Sequence, residues 1–190
     1  MRDPLNNKMF GATLASGLLS GLTLVMVPGA VFVGPGILFA VASGWIFYTL
    51  KWLDLVQVFV WIVSSSAAWY VAMRIYTYTG VQAFSLSNNG QLGNMLPAGF
   101  VGSLIVAVVF SLLIRKVSLK NILITVVCGI VLAYVMYLIL TWGAIDNRNG
   151  DSLENLQQLR LAVAFAAWQI GIGFSLLAYK RRFLPKPRKA

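Results

Sequence analysis

Six long apolar stretches constrain the fold of this 190-residue chain more than any other feature. Each is close to the ~20 residues that an α-helix needs to cross ~30 Å of hydrocarbon. Each is continuous rather than alternating, which excludes a transmembrane barrel. They predict an all-α, polytopic membrane protein whose residues 1–190 form a single transmembrane domain, a six-helix bundle. The predicted helices span residues 10–27, 31–50, 53–73, 95–114, 122–142 and 161–179, followed by a short basic tail at 180–190.

The composition agrees with a bilayer as the solvent. Charged residues make up 11% of the chain and hydrophobic residues 59%, whereas soluble domains carry about 25% charged residues. A net charge of +10 in a soluble protein would point to nucleic acid. Here the basic residues lie at the ends of the apolar stretches, so membrane topology explains them and no nucleic-acid partner is predicted.

The distribution of Lys and Arg predicts the orientation. With the N-terminus in the cytoplasm, all but three of the 15 basic residues lie on the cytoplasmic side, the exceptions being Arg74, Arg148 and Arg160. The positive-inside rule therefore favours an N-in/C-in topology, with both termini cytoplasmic. We expect a bacterial cytoplasmic (inner) membrane protein whose partners are the lipid bilayer and the anionic lipids at its basic inner face.

The chain lacks the reactive side chains that most enzyme classes require. The chain has no histidine, which removes Ser-His triads and HExxH zinc sites. None of the five acidic residues lies in the middle of a predicted helix, so a paired-aspartate intramembrane protease is excluded. The single cysteine, Cys128, cannot form an intrachain disulfide. We therefore predict no catalytic residue, no metal, no cofactor and no enzymatic activity.

The third helix carries the clearest candidate ligand or pathway residues. Asp54, Gln57, Ser64 and Ser65 recur at helical spacing on one polar and small face. One interpretation is that this face lines a polar pathway, with Asp54 as a carboxylate at its mouth. The other is that small residues allow close helix packing, while hydroxyls bond between helices and Asp54 anchors the helix at the interface.

Three further candidates lie elsewhere. Gln169 is the deepest amide of the sixth helix, and either lines a pathway or forms an interhelical hydrogen bond. Arg74 and Tyr76 lie at the outer end of the third helix. They either cover an aromatic ligand or belong to the aromatic belt that membrane proteins carry at the interface.

Two functions fit these patterns. In length and predicted topology, the chain is similar to the substrate-binding subunits of energy-coupling-factor vitamin transporters, a resemblance that carries no site residues. The first hypothesis is a small-solute binding or transport component, with a pocket between helices 1, 3 and 6 entered between residues 74–94 and 28–36. Residues 28–36 form either a tight outer turn or a short re-entrant segment. The alternative is a non-catalytic structural or assembly subunit, bound to another membrane protein or to a second copy of the chain.

Overall fold

The fold is all-α, as the sequence predicts. The computed structural model describes residues 4–26, 33–83, 89–115, 117–141, 153–177 and 179. Predictions that concern residues 28–32, Arg148 and the tail at 180–190 lie outside the described residues. Within the described residues the chain forms six helices: α1 Pro4–Met26, α2 Gly34–Thr49, α3 Leu55–Ala83, α4 Asn89–Leu113, α5 Leu119–Thr141 and α6 Leu153–Leu177.

Three of these helices are long and apolar enough to cross a membrane. The apolar segments are Leu55–Thr77 in α3, Gly93–Leu113 in α4 and Leu119–Leu140 in α5. Two shorter apolar helices accompany them, at Gly34–Thr49 and Ala162–Leu177. Large apolar side chains are exposed on the outside of the bundle, where water would be an unfavourable neighbour. Together these features indicate an integral, multi-pass membrane protein.

The helices pack as a closed ring. Each helix lies against its neighbours in sequence, and α1 packs along α6 to close the circle, while contacts across the ring are sparse. Neighbouring helices run antiparallel: in the α1–α6 pair Gly17 faces Ala166 and Gly173 faces Thr13, and in the α4–α5 pair Gly99 faces Ala133 and Gly129 faces Ser103. One end of the bundle therefore holds the ends of α3 and α5 and the starts of α4 and α6; we call it the cavity end.

Small residues bring two of these helix pairs into close contact. A Cβ atom on Gly17 would lie 2.3 Å from the Cα atom of Ala166, and one on Gly129 would lie 2.3 Å from the Ser103 side chain of α4. Lipid tails give no hydrophobic drive for helix association, so close backbone packing is a main source of affinity between membrane helices. The α1–α6 and α4–α5 contacts depend on such packing.

Aromatic rings fill the centre of the bundle. Neighbouring ring centroids lie between 4.7 and 6.3 Å apart, mostly in tilted or edge-to-face pairs, which are the favoured arrangements for aromatic side chains. We call this set the aromatic column, and it consists of Phe165, Trp69, Trp168, Phe39, Trp61, Phe47, Trp52, Phe110 and Tyr179. The column runs from the cavity end towards the opposite end of the bundle.

Several helices are longer than hydropathy predicts. α3 continues to Ala83, well past the predicted end at residue 73, and α4 begins at Asn89 rather than 95, so the predicted loop at 74–94 is largely helical. Neutral polar residues end an apolar stretch but do not break a helix. With 29 residues, α3 is ~43 Å long, more than the ~30 Å of hydrocarbon. α6 likewise begins at Leu153 rather than 161.

The turn after α2 places a lysine in a left-handed conformation. Lys51 has φ 58°, and its N–H donates to the Tyr48 carbonyl at 2.9 Å, while the Trp52 N–H donates to the Phe47 carbonyl at 2.9 Å. This is a Schellman cap, completed by the Trp52 ring stacked on Phe47 at 5.7 Å. Glycine is the usual residue at that position because a Cβ atom strains a left-handed backbone.

We expect Lys51→Gly to leave the stability unchanged or to raise it by up to about 1 kcal/mol, because glycine relieves the left-handed strain. Lys51→Val is expected to lower it by about 1 kcal/mol or more, since a β-branched side chain is least tolerated there. Thermal unfolding in detergent measures both. The matched control, Lys120→Gly, removes an exposed lysine from the helical start of α5 and is expected to destabilise slightly. If Lys51→Gly destabilised the protein as much as Lys51→Val does, that result would contradict the left-handed cap.

Candidate functional site

Asp54 and Gln57 form a reciprocal cap at the start of α3. The Gln57 N–H donates to Oδ1 of Asp54 at 2.8 Å, and the Asp54 N–H donates to Oε1 of Gln57 at 2.8 Å. This capping box satisfies two backbone donors that a helix start leaves without partners. Nε2 of Gln57 also donates to the Leu113 carbonyl at 2.9 Å, at the end of α4. The Gln57 amide therefore joins α3 to α4, and the Asp54 side chain is exposed.

Gln169 lies fully buried at the junction of α1, α2 and α6. Its Oε1 accepts a hydrogen bond from the Ser16 hydroxyl. Its Nε2 donates to the Ser20 hydroxyl at 2.9 Å and to the Pro35 carbonyl at 3.2 Å. The Ser20 hydroxyl in turn donates to the Ser16 carbonyl at 2.7 Å. Both amide donors and the amide oxygen are thus engaged, and the side chain holds three helices together.

The structure does not bring the sequence candidates together in one pocket. Ser65 is buried and Ser64 half-buried midway along α3, whereas Arg74 is exposed near the cavity end. Tyr76 is half-buried at that same end, far along α3 from Asp54 and Gln57.

A cavity of ≈ 200 Å³ lies between α3, α4, α5 and α6 at the cavity end. Its walls include tryptophan, phenylalanine and methionine side chains, together with small residues that leave the space open. Among the seven candidate residues, Tyr76 is the one that lines it. The principal lining residues are Trp69, Met73 and Tyr76 of α3, Met95 and Ala98 of α4, Met136 of α5, and Phe165 and Trp168 of α6.

The chemistry of this cavity suits a small apolar molecule. Trp69 packs on Phe165 and on Trp168, each at 5.3 Å and edge to face, so one wall is a fixed aromatic surface continuous with the aromatic column. Methionine side chains on the other walls are flexible and polarisable, and adapt to ligands of different shape. The described lining residues carry no formal charge, so an anion bound there would lose its hydration without compensation.

Of the residues that line this cavity, the sequence identified only Tyr76 as a candidate. Tryptophan, methionine and phenylalanine within apolar helices are equally typical of core packing and of lipid contact. Pro97 lies inside α4 between Met95 and Ala98 but is exposed, so it does not distinguish the lining residues either.

The described residues hold no group of three or more His, Cys, Asp or Glu side chains that could bind a metal ion. No protein-family model, no curated protein and no solved structure matches this chain.

Proposed function

We propose that this chain is a membrane-embedded binding protein for a small, mainly apolar solute. The observation that carries the proposal is the cavity between α3, α4, α5 and α6, because it combines a fixed aromatic wall with adaptable methionines. Binding sites for small molecules are typically concave, mostly apolar and largely preformed. The other residues of the aromatic column lie beneath the cavity, so the solute enters from the cavity end or laterally from the bilayer.

The proposed topology has six membrane passes, with both termini in the cytoplasm and the cavity facing outwards. Its support is the charge distribution on the helices. Arg74 and Arg160 lie towards the cavity end, whereas the opposite end carries Lys8, Lys51, Arg115 and Lys120. Since cytoplasmic ends are enriched in Lys and Arg, that opposite end is assigned to the cytoplasm. The cavity would then receive a solute from outside the cell.

The filled centre favours binding over transport in this conformation. A solute crossing the bundle would have to displace Phe39 and Trp61, which are fully buried. The same tightly packed centre supports the second candidate function, a non-catalytic assembly subunit. Such a subunit needs tight internal packing and no pathway for a solute. The two candidates differ in what copurifies with the protein: a small molecule or a protein partner.

Native mass spectrometry of the protein in lipid nanodiscs tests this proposal. We expect a reproducible small-molecule adduct on the wild-type protein, and its loss in Ala98→Leu, because the added methyl groups occupy the cavity. The matched control is Ala67→Leu, which adds the same volume on the exposed face of α3 and should retain the adduct.

A protein partner without a small molecule would instead establish the assembly subunit. An adduct that survives Ala98→Leu and disappears in Ala67→Leu would place binding on the outer surface and overturn the proposed cavity site.

A further inference from the structure

A shallow furrow runs along the outer face of α5, from the first turn of the helix towards the middle of the bilayer. It lies between two rows of side chains at a spacing of four residues, Leu119, Leu123 and Val127 on one side and Lys120, Ile124 and Cys128 on the other. Leu123 and Val127 are 53% and 56% exposed. From Leu119 to Val127 the furrow is ~12 Å long, which is most of the ~15 Å of hydrocarbon in one leaflet.

The charge of α5 is confined to the head of this furrow. Lys120 is the single charged residue of α5, and its side chain is exposed. Leu119–Leu140 is an apolar segment long enough to span the membrane, so Lys120 lies where the hydrocarbon meets the lipid headgroups. Arg115, five residues earlier in the turn between α4 and α5, is exposed as well. Neither cation forms an ion pair within the part of the chain that the structure describes.

We propose that this furrow binds one anionic glycerophospholipid of the phosphatidylglycerol type, with its phosphate at Lys120 and one acyl chain along Leu123 and Val127. The furrow begins with a positive charge and continues as apolar surface, which matches the order of headgroup and chain in such a lipid. Lys and Arg at the membrane surface attract anionic headgroups, and the flexible stem of a lysine allows its ammonium group to reach the phosphate. The proposal is independent of the cavity, since the described linings of the furrow and of the cavity share no residue.

The outer face of α3 shows why the charge at the head of the furrow matters. Val56, Phe59 and Val63 are exposed and apolar, and this face also begins at the end of the bundle opposite the cavity. The start of α3, however, carries the exposed carboxylate of Asp54 as well as the exposed Lys51. Because these two charges offset each other, that face offers an anionic headgroup no net attraction. We therefore expect the anionic lipid at α5 and not at α3.

Competition between two lipids with the same acyl chains tests the proposal. The full chain in mild detergent is mixed with equal amounts of palmitoyl-oleoyl phosphatidylglycerol and palmitoyl-oleoyl phosphatidylethanolamine, and the lipid adducts are resolved by native mass spectrometry. We expect the phosphatidylglycerol adduct to exceed the phosphatidylethanolamine adduct roughly 5-fold, which is the effect of one cationic side chain near the membrane surface.

Two pairs of variants separate the headgroup contact from the chain contact. Lys120→Gln removes the charge and should bring the two adducts close to equality, whereas Lys8→Gln removes the same charge from α1 at the same end of the bundle and should keep the preference. Val127→Trp obstructs the furrow and should lower the phosphatidylglycerol adduct several-fold. Its matched control, Val63→Trp, changes a valine of similar exposure on α3 and should leave that adduct unchanged.

The remaining outcomes would overturn the proposal. If the wild-type protein bound both lipids equally, or if Lys8→Gln abolished the preference as fully as Lys120→Gln, the anionic site would not be at α5. If Val127→Trp kept the full adduct, the acyl chain would not lie in the furrow. Ala98→Leu fills the cavity and should leave both lipid adducts unchanged, so this test is separate from that of the proposed function. Loss of the lipid adduct in Ala98→Leu would place the lipid in the cavity instead.

Discussion

Gly17→Ala is expected to lower the free energy of unfolding by about 3 kcal/mol. The new Cβ atom would lie 2.3 Å from the Cα atom and 2.7 Å from the backbone nitrogen of Ala166. Backbone atoms cannot rotate away as a side chain can, so α1 and α6 must separate along the contact that closes the ring. In thermal unfolding of the purified protein in detergent, this corresponds to a fall of roughly 10 °C in melting temperature.

The control for this substitution lies on the same helix. Gly11 has no atom within 4 Å of the position that a Cβ would occupy. Alanine is a better helix former than glycine by about 1 kcal/mol, so Gly11→Ala should raise the melting temperature slightly. The two glycine-to-alanine changes are chemically identical and are expected to have opposite signs. Equal shifts in the same direction would contradict the packing of α1 against α6.

The sequence predicts the presence of the helices better than their extent. Hydropathy detects only the apolar part of a helix, and the predicted apolar stretch of α3 ends at residue 73. The helix itself continues to Ala83, because threonine, tyrosine and glutamine remain compatible with helical backbone. The start of α3 was readable from Asp54 and Gln57, whose spacing is that of a capping box with Asp in place of Ser or Thr.

The partners of a polar side chain could not be predicted in the same way. Gln169 was open to two interpretations, because an amide in an apolar helix serves equally well in a pathway or between helices. The role of Gln169 is decided by its partners Ser16, Ser20 and Pro35, which lie on two other helices. Their positions next to Gln169 follow from the order in which the helices pack. Periodicity within one helix carries no information about that order.

The cavity is still further from what a sequence can specify. A void exists where four helices leave space, and its volume depends on sub-ångström details of how α3, α4, α5 and α6 approach one another. Trp69 and Phe165 line it, while Trp45 and Phe59 are exposed on the outer face. Both pairs have the same composition and lie in similarly apolar sequence. Residue type alone therefore does not show whether a side chain packs in the core, lines the cavity or faces the lipid.

Trp61→Ala is expected to lower the free energy of unfolding by about 4 kcal/mol, because Trp61 lies at the centre of the aromatic column. Its ring contacts Phe39, Phe47 and Phe110 at centroid distances of 6.3, 5.9 and 5.5 Å. Its Nε1 also donates to the Ser43 hydroxyl at 3.0 Å. Truncation removes these contacts and leaves a void that the surrounding helices close only partly. The melting temperature in detergent should fall by roughly 10 °C or more.

Two further variants divide that loss into its causes. Trp61→Phe keeps an aromatic ring in the column and removes the hydrogen bond to Ser43, whose hydroxyl still donates to the Phe39 carbonyl at 2.7 Å; about 1–2 kcal/mol should be lost. Trp45→Ala removes the same side chain from the outer face of α2, where it is 66% exposed, and should cost less than about 1 kcal/mol.

If Trp45→Ala destabilised the protein as much as Trp61→Ala, the aromatic column would not be the core of the bundle. If Trp61→Phe kept the small-molecule adduct, Trp61 would stabilise the fold beneath the cavity without taking part in binding.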